Sequence, residues 1–168
     1  MKLATAATAY VALGANLGDP LATLRAAVAA LADIPATSLV STSSLYRTAP
    51  VGLRNQPDFI NAAARLQTTL SPEQLLLALF DIEAAFGRSR SVLNAPRTLD
   101  LDLLLHGDTT LEDQYLTLPH PRMHLRAFVL VPLLEIAPEC TIPGLGPASD
   151  FIGGCSGQSI VRLSPIVV

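Results

Sequence analysis

The sequence predicts an α+β domain of the ferredoxin-like, split β-α-β kind, followed by additional C-terminal elements. Three observations lead there. Two helix-start signals, Asp19-Pro20 and Ser71-Pro72-Glu73-Gln74, each precede a stretch with helical apolar spacing. Segments of strand character lie before, between and after those helices, and their order reads β-α-β-β-α-β. The length of 168 residues suits one domain spanning 1–168 with a sizeable core.

The elements follow in chain order. Thr8 to Leu13 reads as a buried strand that enters the turn Gly14-Ala15-Asn16-Leu17-Gly18-Asp19-Pro20. Asp19 is placed to cap a helix and Pro20 to occupy its first position. That helix runs to about Ala32, with an apolar face expected from Leu21, Leu24, Ala27, Ala29 and Leu31, and Pro35 stops it. Thr37 to Tyr46, rich in Ser, Thr, Val and Tyr, suits a second strand, whereas Pro50, Gly52, Asn55 and Pro57 make 47–58 a long loop. Phe59 to Gln67 suits a third strand. The second helix starts at the serine cap and carries Leu75, Leu76, Leu79, Ile82 and Phe86 to a stop at Gly87. After a loop, Thr98 to Leu105 alternates as a strand. Beyond His106 the pattern predicts a short hairpin near Gly107 to Asp113, a helical turn after Pro121, and a helix over Phe128 to Ile136 interrupted by Pro132. From Pro143 onward the chain reads as mostly loop.

Composition narrows the function classes. Half the residues are hydrophobic, which argues against disorder, and the net charge of -3 supplies no global field for nucleic acid or an anionic membrane surface. Lys2 is the only lysine, so any anion must be met by arginines, whose forked donors suit phosphate. The opening MKLATAATAYVALGA lacks a solid apolar stretch and passes into a Gly-rich turn, so a strand is expected there rather than an export signal. Cys140 and Cys155 have no histidine at metal-ligand spacing and are expected to be reduced. The expectation is a soluble cytoplasmic protein.

The sharpest chemical feature is Arg97-Thr98-Leu99-Asp100-Leu101-Asp102-Leu103. Strand period puts Asp100 and Asp102 on one face and the three leucines in the core. Two carboxylates held this close suit a hard cation such as magnesium, with water and substrate phosphate completing its shell. A strand edge charged only to deter pairing is the alternative. Arg88, Arg90 and Arg97 precede the strand, and His120, Arg122 and Arg126 lie beyond it, the mixture a metal-phosphate site needs, although surface ion pairs would look the same. Asn61 shares a strand face with Phe59, which allows an aromatic platform beside an amide, although Phe59 and Phe128 could simply be core. Glu83 could be a solvated helix position. No Walker loop is present.

Several segments together resemble the 6-hydroxymethyl-7,8-dihydropterin pyrophosphokinases of the folate pathway: YVALGANLGD (10–19), SSLYRTAP (43–50), QPDFINAA (56–63), APRTLDLDLL (95–104), LPHPRMH (118–124) and RAFVLVPL (126–133). The resemblance covers essentially the whole chain. It implies pyrophosphoryl transfer from ATP to the hydroxymethyl group of the reduced pterin, with release of AMP (2-amino-4-hydroxy-6-hydroxymethyldihydropteridine diphosphokinase activity). Carried over by motif, Asp100 and Asp102 would bind two magnesium ions. Arg97 would grip the polyphosphate, with Arg88 or Arg90 as a second contact, His120 and Arg126 closing the far side, and Glu83 lining the nucleotide side. Phe59 and Phe128 would sandwich the pterin, Asn61 would bond its edge, and Thr48, Ala49, Pro50 and Val51 would complete its recognition. The loops at 47–58 and 88–96 would act as lids. Family members commonly carry a basic residue shortly before G-P-R, where this chain reads SVLNAPR with Leu93 and Ala95. The implied partners are ATP and the pterin alone, with no nucleic acid and no membrane, on a monomer. A non-catalytic binding module of the same fold, or another magnesium-dependent nucleotidyl or phosphoryl transferase, stays open beside this reading.

Overall fold

A computed structural model describes residues 5–50, 55–87 and 98–166. The chain runs β1 (Ala7–Ala15), α1 (Pro20–Ala32), β2 (Thr37–Thr42), β3 (Ser44–Thr48), β4 (Phe59–Thr68), α2 (Pro72–Ala85) and β5 (Asp100–His106). It continues through β6 (Leu111–Glu112), β7 (Thr117–Leu118), a 3-10 turn at Met123–Leu125 and α3 (Ala127–Ile136). The C-terminal part holds β8 (Thr141–Ile142), β9 (Gly146–Pro147), a 3-10 segment at Ala148–Cys155 and β10 (Ile160–Pro165). The main sheet is ordered β10-β3-β4-β1-β5, β2 also pairs with β4, and all these pairings are antiparallel. Each of the two β-α-β crossovers skips one strand, which gives the split β-α-β topology expected.

The sheet separates two hydrophobic layers. On one face Val11, Leu13, Leu45, Ala62, Leu66, Leu101 and Leu103 pack with Leu24, Val28 and Leu31 of α1 and Leu75 and Leu79 of α2. On the other, Tyr10, Ala12, Leu104 and Leu105 pack with Leu130 and Leu133 of α3. Both long helices start as their sequences direct: Asp19 accepts the Ala22 amide, and Ser71 and Gln74 form a reciprocal capping box.

Six expectations are corrected. The single strand over Thr37 to Tyr46 is two strands, because Ser43 turns its hydroxyl onto the Ala63 amide and the Ser44 carbonyl and breaks the ladder. The second of these runs on to Thr48, into the segment expected to be loop. The buried face of α1 is Leu24, Ala27, Val28 and Leu31, a clean i, i+3, i+4, i+7 set, while Leu21 and Ala29 are exposed. The hairpin falls later than expected, pairing Leu111 with Leu118, because Asp113 accepts the amides of Tyr115 and Leu116 and so sets the turn there. Pro132 does not interrupt α3, and the tail is not mostly loop: β10 forms an edge strand on β3.

Candidate functional site

Strand register builds the floor of the site. Tyr46 of β3, Asn61 of β4, Gly14 of β1 and Asp100 of β5 lie abreast, and in the next row Ala63, Ala12 and Asp102 do the same. All point to the face that α3 partly covers, because their neighbours Leu45, Ile60, Leu13 and Leu101 fill the opposite core. Two strand spacings, about 10 Å, therefore separate Asn61 from Asp100. Between them the floor is nearly bare, since Gly14 has no side chain and Ala12 and Ala63 have only a methyl group each. A Cβ at position 14 would sit 3.3 Å from Asn61 Oδ1.

At one end of the row Asn61 is buried, and its Nδ2 donates to Thr48 Oγ1 at 2.7 Å. That bond turns Oδ1 toward Gly14 and fixes the amide as an oriented donor-acceptor pair. Phe59 pairs with Thr48 across the ladder and is half-buried. Phe128, at the start of α3, is also half-buried, with the Arg126 guanidinium 5.4 Å from its ring centroid. Ala49 is exposed and Pro50 half-buried at the end of β3. Val51 lies outside the described residues. Asn16, to which sequence reasoning gave no role, is buried and donates to Gln56 Oε1 at 2.7 Å and to the Pro57 carbonyl at 3.0 Å. It ties the β1–α1 turn to the segment entering Phe59. Its only signal was an asparagine inside the Gly-rich turn.

At the other end Asp100 and Asp102 are half-buried on β5 and line a cleft of about 310 Å³. Its other walls are Leu76 and Phe80 of α2, Tyr115 and Leu116 of the β6–β7 turn, and His120. Of these walls sequence reasoning named only His120; Leu76, Phe80, Tyr115 and Leu116 were not foreseen, because their approach depends on how α2 and the β6–β7 turn flank β5. Glu83 is not a solvated helix position. It is 2% exposed, and its Oε2 accepts the Leu101 amide at 2.8 Å, so it pins the backbone between the two aspartates.

His120 is held by its own amide, which donates to the Leu104 carbonyl at 2.9 Å. Burial brings its pKa down to about 4, helped by the nearby Arg126 and Arg122 cations and opposed by Asp100. The ring is therefore neutral at physiological pH. Its Nδ1 accepts the Arg122 amide at 3.2 Å, which puts the proton on Nε2 and makes that atom a donor. Arg126 acts electrostatically on His120 and stacks on Phe128, so it joins the two ends of the row. Arg88, Arg90 and Arg97 lie outside the described residues, as do Leu93 and Ala95. Among the described residues no cluster of three or more His, Cys, Asp or Glu gathers as a metal site, so a cation at Asp100 and Asp102 would complete its shell from water or substrate. A pair of hard oxygen donors on one strand face fits magnesium in that way.

An oriented amide on the strand face that carries Phe59 stands at one end of this row, and paired carboxylates with a donor histidine at the other, an arrangement that could hold a planar heterocycle beside a metal-bound polyanion. The model of the 7,8-dihydro-6-hydroxymethylpterin-pyrophosphokinase (HPPK) family matches residues 10–138. The chain is 42% identical over 158 residues to a 2-amino-4-hydroxy-6-hydroxymethyldihydropteridine pyrophosphokinase of Haemophilus influenzae, covering 94% of this chain and 99% of that one. It is 44% identical over 154 residues to the protein of the same description from Pseudomonas aeruginosa, covering 92% and 95%. Among solved structures, a Plasmodium falciparum HPPK-DHPS crystal structure superposes with a TM-score of 0.71 at 15% identity. That match covers 90% of this chain and 46% of the other, and it bears on the fold alone. This chain belongs to the HPPK family.

Proposed function

We propose that this chain is an ATP-dependent pyrophosphokinase acting on 6-hydroxymethyl-7,8-dihydropterin. The observation that carries the reading beyond family membership is the register row, which puts Asn61 and Asp100 on one open floor with only Gly14 between them. The pterin would lie at the Asn61 end, its edge on the amide and its ring between Phe59 and Phe128, with the backbone of Thr48, Ala49, Pro50 and Val51 beside it. The nucleotide would occupy the cleft beside β5, its base against Leu76 and Phe80.

In the reaction the hydroxymethyl oxygen forms a bond to the β-phosphorus, the bond from that phosphorus to the oxygen bridging the α-phosphate breaks, and the bridging oxygen leaves on AMP. The hydroxyl proton goes to solvent. Asp100 and Asp102 would hold magnesium, two ions in this reading, which when bound neutralises phosphate charge and helps align the chain. His120 donates from Nε2 to a phosphate oxygen, and with Nδ1 occupied it is not a base. Arg126 and Arg97, with Arg88 or Arg90, would clamp the polyphosphate, and Glu83 supports the nucleotide side by holding the Leu101 amide. Rate then comes from alignment and charge stabilisation, as phosphoryl transfer generally requires. This reading takes the chain as a monomer of one domain working in the cytoplasm, where ATP and magnesium are supplied. Among the described residues no helix is long and apolar enough to cross a membrane.

Incubation with ATP, magnesium and the pterin, followed by chromatography, tests the assignment. Equal accumulation of AMP and the pterin diphosphate is expected. ADP or inorganic pyrophosphate in place of AMP would transfer the site to another phosphoryl or nucleotidyl chemistry, and binding without turnover would make the chain a binding module.

A further inference from the structure

The family model stops at residue 138, yet the chain beyond it reaches back into the site. Gln158 Nε2 donates to the Leu125 carbonyl at 2.8 Å, and its Oε1 accepts the Ala127 amide at 2.9 Å. These two backbone groups flank Arg126. That residue is the extended hinge (φ -122, ψ 119) between the 3-10 turn and α3, and it supplies no side-chain cap to the helix it precedes. Gln158 therefore supplies the missing cap from 31 residues away.

Gln158 is itself fixed from both sides. Its amide donates to the carbonyl of buried Cys155 at 2.9 Å, and two residues later Ile160 pairs with Thr48 on β3. One short stretch of tail thus joins the two walls of the expected pterin site. Thr48, with Asn61 and Phe59, forms one wall, and Arg126 with Phe128 forms the other. A rotation at the Arg126 hinge would swing the guanidinium and the Phe128 ring together, because the one stacks on the other.

We propose that Gln158 is a positioning residue, whose amide clamps the backbone on either side of Arg126 and so sets Arg126 and Phe128 against Asn61 and Phe59. This rests on the pyrophosphokinase reading and on the place of Arg126 in it. The residue touches no substrate.

The test is a double-mutant cycle in the full chain, with kcat and KM for each substrate measured in the AMP-forming reaction. Gln158→Ala is expected to lower kcat/KM for the pterin by about 2- to 10-fold, the range for loss of one or two ordinary hydrogen bonds. In an Arg126→Ala background the same change should cost clearly less than in wild type, because the guanidinium it positions is gone while the Phe128 ring it also positions remains. Gln158→Glu keeps the acceptor for Ala127 but faces the Leu125 carbonyl with a second oxygen, so it should lose about as much as the alanine variant. Ser159→Ala, next in the chain, should match wild type. Full wild-type kcat/KM in Gln158→Ala beside a disabled Arg126→Ala would overturn this inference and leave the reaction assignment standing. So would losses that simply add. An Arg126→Ala enzyme as active as wild type would overturn both the inference and the role given to Arg126.

Discussion

Glu135 offers the clearest test of how α3 is held on the sheet. Its carboxylate accepts the Ser44 amide at 3.0 Å, the Ser44 hydroxyl at 3.0 Å and the Tyr46 hydroxyl at 2.6 Å, and Arg162 of β10 approaches at 3.4 Å. The Glu135 side chain is 23% exposed and Arg162 61%, so the ion pair itself contributes little. The buried donors matter more, since Tyr46 is 4% and Ser44 2% exposed. Glu135→Ala strands those donors, at about 1–3 kcal/mol for each buried group left without a partner. Water reaching the vacated space offsets part of this, and about 2–4 kcal/mol of lost stability is expected. Tyr46→Phe removes one donor and leaves the carboxylate its other partners, so about 1 kcal/mol should go. In the double variant the loss should fall short of the sum, because the Tyr46 share disappears with either partner. Urea unfolding with linear extrapolation measures all four proteins. Burial alone would push the Glu135 carboxyl up, but the hydrogen bonds from Tyr46 and Ser44 and the Arg162 charge bring it below its usual value. The folded value then lies under the unfolded one near ~4.3, so the contribution is present above that pH and is lost as pH falls through the folded value. Tyr46, raised to about 12 by burial and by Glu135, stays a donor throughout. A Glu135→Ala loss below about 1 kcal/mol, or strict additivity with Tyr46→Phe, would refute the network.

Three further outcomes follow from the site. Asp100→Asn and Asp102→Asn should each cut turnover at saturating substrate by about 100-fold or more while changing pterin affinity little, which steady-state kinetics and calorimetric titration with pterin together would check. Gly14→Ala should raise the pterin KM by about 3- to 10-fold with nearly unchanged unfolding, because the new Cβ crowds Asn61 Oδ1 at 3.3 Å and disturbs its bond to Thr48. An unaltered KM would mean that the amide does not meet substrate. In magnesium-free buffer the His120 imidazole should titrate near pH 4 by NMR, its signal identified by its loss in His120→Asn. With the folded pKa below the unfolded ~6.5, stability falls as pH drops from about 6.5 toward 4, by up to about 3 kcal/mol, and His120→Asn should lack that slope. A His120 signal titrating near 6.5 would contradict the buried, neutral ring.

Much of the fold was legible because its core elements carry their own period. The capping signals at Asp19 and Ser71 started helices within a residue of where they lie, and β5 alternates half-buried aspartates with buried leucines as its pattern requires. The tail was unreadable for the opposite reason. Along β10 every residue after Ile160 is exposed, so no alternation marks it, and its place depends on backbone pairing with β3. Pro132 misled because local propensity lost to packing. It removes the bond its amide would have made to the Phe128 carbonyl, but Leu130 and Leu133 on either side of it are fully buried in the α3 layer, and the helix continues.

Strand period paired Phe59 with Asn61 and Asp100 with Asp102 from the sequence, and the register then set Asn61 and Asp100 abreast. The bonds that hold their surroundings in place could not be read, and even Glu83, named through the family resemblance, was expected to line the nucleotide side and not to grip a backbone amide, since each such bond works on a backbone group far away in sequence. Glu83 reaches Leu101 across 18 residues, Gln158 reaches Ala127 across 31, and Glu135 reaches Ser44 across 91. No local pattern encodes such a bond, because its geometry exists only once the sheet order has put β10 beside β3 and α3 over β4. What the tail supplies at the Arg126 hinge is one donor and one acceptor aimed at two backbone groups, which residues other than glutamine could also provide. Relatives lacking a glutamine at that point should meet the same two backbone groups by another route, and those that leave them to water should show a looser Arg126.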